Sequence, residues 1–107
     1  RLFHSEKGKH DQAISDFTKA IEINPKLAEP YYDRGLSYGN KGQYNKAISD
    51  CTKAIEINPR FAEAYYNRGL AYYLKGQCDK AVSDYTMAIK INPRYAEAYH
   101  NRGLNYC

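Results

Sequence analysis

A period of 34 residues constrains this chain more than any other feature. Asn24-Pro25, Asn58-Pro59 and Asn92-Pro93 recur at that interval, and so do Gly8, Gly42 and Gly76. Lys53 to Gln77 overlays Lys19 to Gln43 almost residue for residue. Self-similarity of this length marks a repeat architecture, in which each unit is one supersecondary element that buries its apolar face only against its neighbours.

Each period predicts two amphipathic helices. From Ala62 to about Lys75, Tyr65, Tyr66, Gly69, Tyr72 and Tyr73 fall at helical spacings; from about Asp79 to Ile91 a second stripe runs through Ala81, Val82, Tyr85, Ala88 and Ile89. Gly76 supplies the positive φ of a tight helix exit. Asp79 stands where a carboxylate suits the exposed N–H groups and the macrodipole of the second helix. Asn92-Pro93 closes it, because proline cannot continue a helix and pushes the residue before it out of the helical region.

Small and large residues recur in columns. Gly35, Gly69 and Gly103 form one, and Ala13, Ala47 and Ala81 another. A mid-helix glycine costs roughly 1 kcal/mol relative to alanine, so its regular return points to close helix approach. The large columns are Tyr31, Tyr65, Tyr99; Tyr38, Tyr72, Tyr106; Phe17, Cys51, Tyr85; and Leu27, Phe61, Tyr95. Hydrophobic residues make up 43% of the chain, but 12 of its residues are tyrosine and none is tryptophan, which suits a thin, exposed stack better than a sphere.

The net charge of +4 is spread without runs of like charge, which argues against a nucleic-acid partner. No apolar stretch is long enough to span a bilayer and no signal peptide is visible, so the expectation is a soluble protein with no membrane contact. Cys51, Cys78 and Cys107 are odd in number, with no C-x-x-C spacing. That argues against a disulfide framework or a zinc site and points to a reducing, cytoplasmic compartment. The chain opens at Arg1 without methionine and stops at Cys107 in mid-pattern, which points to an excerpt from a longer protein.

At these columns the sequence resembles the tetratricopeptide repeat (TPR) family, whose unit carries an aromatic, a Gly and a Tyr on its first helix. Tyr65, Gly69 and Tyr72 match these in turn, and Ala81, Tyr85, Ala88 and Pro93 match the second-helix pattern and its closing proline. The resemblance implies an all-α fold, a right-handed α-solenoid of antiparallel helix pairs whose first helices line a concave groove. It divides the chain into a partial repeat at 1–27 (end of one helix plus a second helix), complete units at 28–61 and 62–95, and the first helix of a truncated fourth at 96–107. Three departures stand out. Arg1 replaces the column glycine, Cys51 stands where an aromatic is usual, and the family's frequent leucine before the glycine is Arg34, Arg68 and Arg102.

The arginine column is matched by Asp16, Asp50 and Asp84 on the other helix. A bidentate Arg–Asp pair bridging helices is the expectation, Arg34 with Asp50 or Asp16 and Arg68 with Asp84 or Asp50. The competing reading is a basic stripe for phosphate or an acidic peptide. The resemblance places Glu29, Tyr32, Asp33, Leu36, Glu63, Tyr66, Asn67, Leu70, Tyr73, Leu74, Glu97, His100, Asn101 and Leu104 on the groove wall. In some relatives, asparagines in the column of Asp33, Asn67 and Asn101 hydrogen-bond the backbone of an extended peptide, work for which an amide offers both donor and acceptor. A simple capping or solvated role is the alternative.

The family's clamp for the C-terminal carboxylate of chaperones would need Lys at Tyr32, Asn at Leu36, Asn at Asn67, Lys at Glu97 and Arg at Asn101. Only Asn67 fits, and the Glu29, Glu63, Glu97 column adds charge of the wrong sign. His4, His10 and His100 lie in three different columns, so no metal or cofactor is expected. No catalytic motif appears, and Ser15, Ser49 and Ser83 read as surface serines. The expected function is a non-enzymatic scaffold that holds a protein or peptide in its groove, with a helical-repeat module binding single-stranded RNA as the alternative. Open helix faces at both ends allow head-to-tail self-association.

Overall fold

The computed structural model describes residues 5–104; Arg1, His4, Tyr106 and Cys107, named above, lie outside them. Among the described residues there are six helices and no strand: α1 (Ser5–Ile23), α2 (Ala28–Asn40), α3 (Tyr44–Ile57), α4 (Ala62–Leu74), α5 (Cys78–Ile91) and α6 (Ala96–Leu104). Every helix packs on its neighbours in sequence, and α2 also meets α4 directly. The solenoid is thin. Its shortest dimension is 22 Å, about two helix layers at 8–10 Å each.

The helix ends follow from local chemistry. After α2, the N–H of Gln43 donates to Tyr38 O (2.9 Å) and that of Gly42 to Gly39 O (3.0 Å). With Gly42 at φ 78° this is a Schellman exit, repeated at Gln77 and Gly76, where φ is 82°. At the other boundary the asparagine of Asn-Pro does as much as the proline. The Asn58 and Asn92 side chains accept the N–H of Arg60 and Arg94 at 3.1 Å, tying each turn from within. The first Gly-centred turn does not form: α1 runs unbroken through Gly8, whose counterparts sit at positive φ.

The core is built largely of alanine. Ala54, Ala64, Ala81, Ala88 and Ala98 are fully buried, and among the described residues the larger side chains as deeply enclosed are Tyr85 and Cys51. Gly35 and Gly69 permit this approach. A Cβ at Gly69 would stand 2.9 Å from Tyr85 Cε1, and one at Gly35 3.2 Å from Cys51 Sγ.

Cysteine parity misled in one respect. Cys51 is a buried free thiol, but Cys78 is disulfide-bonded. An odd count leaves room for one bridge beside one free thiol. Among the described residues no helix is long and apolar enough to cross a membrane.

Candidate functional site

The first helices of successive pairs, α2, α4 and α6, carry the predicted groove residues. Their opposite face is committed to the fold. Arg34 donates to both Asp50 oxygens (Nε 2.7 Å, Nη2 2.8 Å), and Arg68 grips Asp84 in the same way at 2.8 Å and 2.8 Å. Of the two aspartates open to each arginine, the structure selects the one in its own helix pair. Each guanidinium also donates to a threonine on the preceding second helix, Arg34 to Thr18 (3.1 Å), Arg68 to Thr52 (3.2 Å) and Arg102 to Thr86 (3.2 Å). The sequence reading missed this threonine column, although it recurs with the same period. Two tyrosine columns flank the charge, with Arg68 lying 5.5 Å from the Tyr65 ring centre and 6.0 Å from that of Tyr72. The arginines are therefore internal ties, which removes the basic stripe from the groove.

Among the residues expected on the groove wall, Asn67 Nδ2 donates to Tyr32 OH (3.0 Å) and to Glu63 O (2.9 Å). The bond to a carbonyl fixes the amide orientation, because only the nitrogen can donate there. One unit on, Asn101 Nδ2 donates to Tyr66 OH at 2.6 Å. The expectation that these amides offer donor and acceptor alike to a ligand is corrected for Asn67, whose two donors are taken while Oδ1 remains. Each tyrosine hydroxyl accepts from its asparagine and keeps its own proton to donate. Burial, then the charge of Glu63, pushes the Tyr32 hydroxyl up to about 12, and burial and Glu97 raise Tyr66. Both stay protonated at neutral pH.

The rings of these tyrosines are walls rather than free contacts. Tyr32 packs on Phe61 (centroids 4.8 Å apart) and Tyr66 on Tyr95 (5.1 Å). Leu36, Asn67, Leu70 and Leu74 come together around one cavity between α2 and α4. Glu29, Glu63, Glu97 and His100 are exposed, as are Tyr73, Leu74 and Leu104. Asp33, third member of the asparagine column, has its carboxyl raised by burial and then by Glu29, so this part of the groove rim is acidic. Among the described residues no group of metal-ligating side chains converges.

The family model for the TPR repeat matches residues 4–42 and 40–76, and that for the tetratricopeptide repeat matches residues 62–95. The chain belongs to the tetratricopeptide repeat family. No curated protein matches it. Among solved structures, it is similar to the first TPR of Spaghetti (RPAP3) bound to the HSP90 peptide SRMEEVD, with 26% identity and a TM-score of 0.89, covering 95% of this chain and 81% of that one. The second TPR domain of human RPAP3, in complex with the HSP70 peptide SGPTIEEVD, gives 26% identity and a TM-score of 0.87 over 92% and 82% of the two chains. MamA is 34% identical with a TM-score of 0.87, over 91% of this chain and 57% of its own length. These tetratricopeptide repeat neighbours lend the RNA reading no support.

Proposed function

We propose that this tetratricopeptide repeat chain is a scaffold that binds one extended peptide segment along α2, α4 and α6, gripping its backbone at Tyr32–Asn67 and again at Tyr66–Asn101. The observation that carries this reading is the repeated pair itself. At each level a tyrosine hydroxyl donates to a peptide carbonyl and an asparagine Oδ1 accepts a peptide N–H. Such contacts are indifferent to the ligand's side chains, and about 3.3 Å per extended residue leaves several residues between levels.

Two RPAP3 neighbours hold peptides ending in EEVD, but Tyr32, Leu36, Glu97 and Asn101 replace clamp positions here, and Glu63 stands among them. SRMEEVD is accordingly expected to show no saturable binding. A peptide selected from a random 12-residue display library supplies the positive probe. Changing both Asn67 and Asn101 to alanine is expected to weaken it by about 1 kcal/mol per lost hydrogen bond, roughly fivefold each, with helical circular dichroism unchanged. Unaltered affinity in the double variant would refute the backbone-gripping role.

A second partner is proposed at the ends of the array, where copies of the chain stack head to tail. Arg102 keeps its threonine contact but has no aspartate partner among the described residues, and nothing lies within 4 Å of a Cβ built at Gly103. On α1, Asp16 is exposed beside Gln12, and Phe17 occupies the column of Tyr85. One copy's α6 and another's α1 thus hold complementary halves of one helix pair. Sedimentation velocity is expected to show concentration-dependent association that Asp16→Arg or Arg102→Glu weakens and the two together restore. A monomer at all concentrations defeats it.

A further inference from the structure

The two complete helix pairs differ at the deeply buried column of Cys51 and Tyr85, and the difference bears on the groove. In the second pair Tyr85 is fully buried, its ring against Gly69 and 5.6 Å from that of Tyr66. In the first pair Cys51 holds the same column. Its Sγ reaches the neighbourhood of Gly35 but leaves unfilled the space that a ring takes one unit later. The result is a cavity of about 100 Å³ between α2, α3 and α4, lined by Gly35, Leu36, Ala47, Cys51, Leu70 and Leu74. Asn67, whose amide oxygen is unspent, lines the same cavity.

We infer that this cavity is the side-chain subsite of the groove and takes one leucine-sized aliphatic side chain of the bound peptide, the backbone N–H of that residue donating to Asn67 Oδ1. The inference rests on the groove being peptide-binding. Size and lining choose the occupant. An apolar cavity of about 150 Å³ accommodates a benzene ring, so this smaller one suits an aliphatic chain better than an aromatic one. A charged side chain meets no opposite charge in this lining, whose polar members are Asn40, Tyr44 and Asn67, and desolvating it there is unfavourable. Cys51 serves as apolar wall: burial pushes its thiol up to about 12, so it stays neutral and unreactive. One unit on, the same column holds the Tyr85 ring, larger than the Cys51 thiol, so the proposed subsite lies at the level of Cys51.

The probes are N-acetyl-leucinamide and N-acetyl-glycinamide, followed by NMR on the whole chain with methyl labelling. The leucine probe is expected to bind at least about tenfold more tightly, the lower end of what burying its side chain is worth. Its methyls should give nuclear Overhauser contacts to Ala47, Leu36 and Leu70. Cys51→Phe, which places a ring where Tyr85 has one, is expected to abolish these contacts, and Cys51→Ala to retain them. Contacts elsewhere on the surface, equal affinity for the two probes, or undiminished binding by a folded Cys51→Phe variant would overturn the proposal. The contact map of the unmodified protein decides the matter even where that variant fails to fold. The groove itself is tested separately: a library peptide that binds the unmodified protein and Cys51→Phe equally, with no aliphatic residue required, keeps the groove and refutes the subsite.

Discussion

Replacing Arg68 with alanine is expected to destabilise the fold by about 3–5 kcal/mol, since the variant strands a buried carboxylate without its partner. Asp84 is 4% exposed, and both of its oxygens bind the guanidinium at 2.8 Å. The variant also empties the place between Tyr65 and Tyr72 and leaves Thr52 without its donor. A domain of this size has about 5–15 kcal/mol of stability in total, so the loss consumes a large share of it. At about 4–8 °C per kcal/mol, the melting temperature should fall by roughly 12–40 °C. Changing Arg68 and Asp84 to alanine together should do less harm than Arg68→Ala alone, because no unpaired charge then remains inside. Thermal melts by circular dichroism measure both. A loss below about 1 kcal/mol in Arg68→Ala would mean the pair behaves like a screened surface bridge.

Gly69→Val should destabilise the chain by about 3 kcal/mol through overpacking alone, while Gly103→Ala should be neutral or stabilising by up to about 1 kcal/mol. Both positions belong to one sequence column, and valine is no worse a helix former than glycine, so a loss at Gly69 reports packing. A Cβ at Gly69 lies 2.9 Å from Tyr85 Cε1 and 3.1 Å from Asp84 Cβ, and Tyr85 is fully buried and has no room to withdraw. At Gly103 nothing lies within 4 Å. Equal responses at the two sites would show that α4 and α5 are not held at the separation seen here.

Much of the architecture was legible because it is local. Helix exits at Gly42 and Gly76 and turns at the Asn-Pro pairs are settled by φ preference and by hydrogen bonds spanning five residues or fewer, so a periodic sequence announces them. The asparagine column was legible in the same way, as a position that recurs with the period. The donors of those amides could not be followed. Their partner Tyr32 lies 35 residues from Asn67, one unit away plus one residue, and nothing in the column marks that offset. The threonine column was overlooked because a hydroxyl in an amphipathic helix looks like ordinary surface until a guanidinium is seen to reach it.

By itself the sequence determined the period, the helices, the helix ends, the glycine slots and the presence of matched arginine and aspartate columns. Only the tertiary structure decided which aspartate each arginine takes, that the first turn at Gly8 stays helical, that Cys78 is bridged, and that Cys51 borders a cavity between helices. The physical reason is common to these. A column states which side chains recur on a face, while pairing and void space depend on how far one helix pair is shifted and rotated against the next, a geometry settled by all the contacts between units at once.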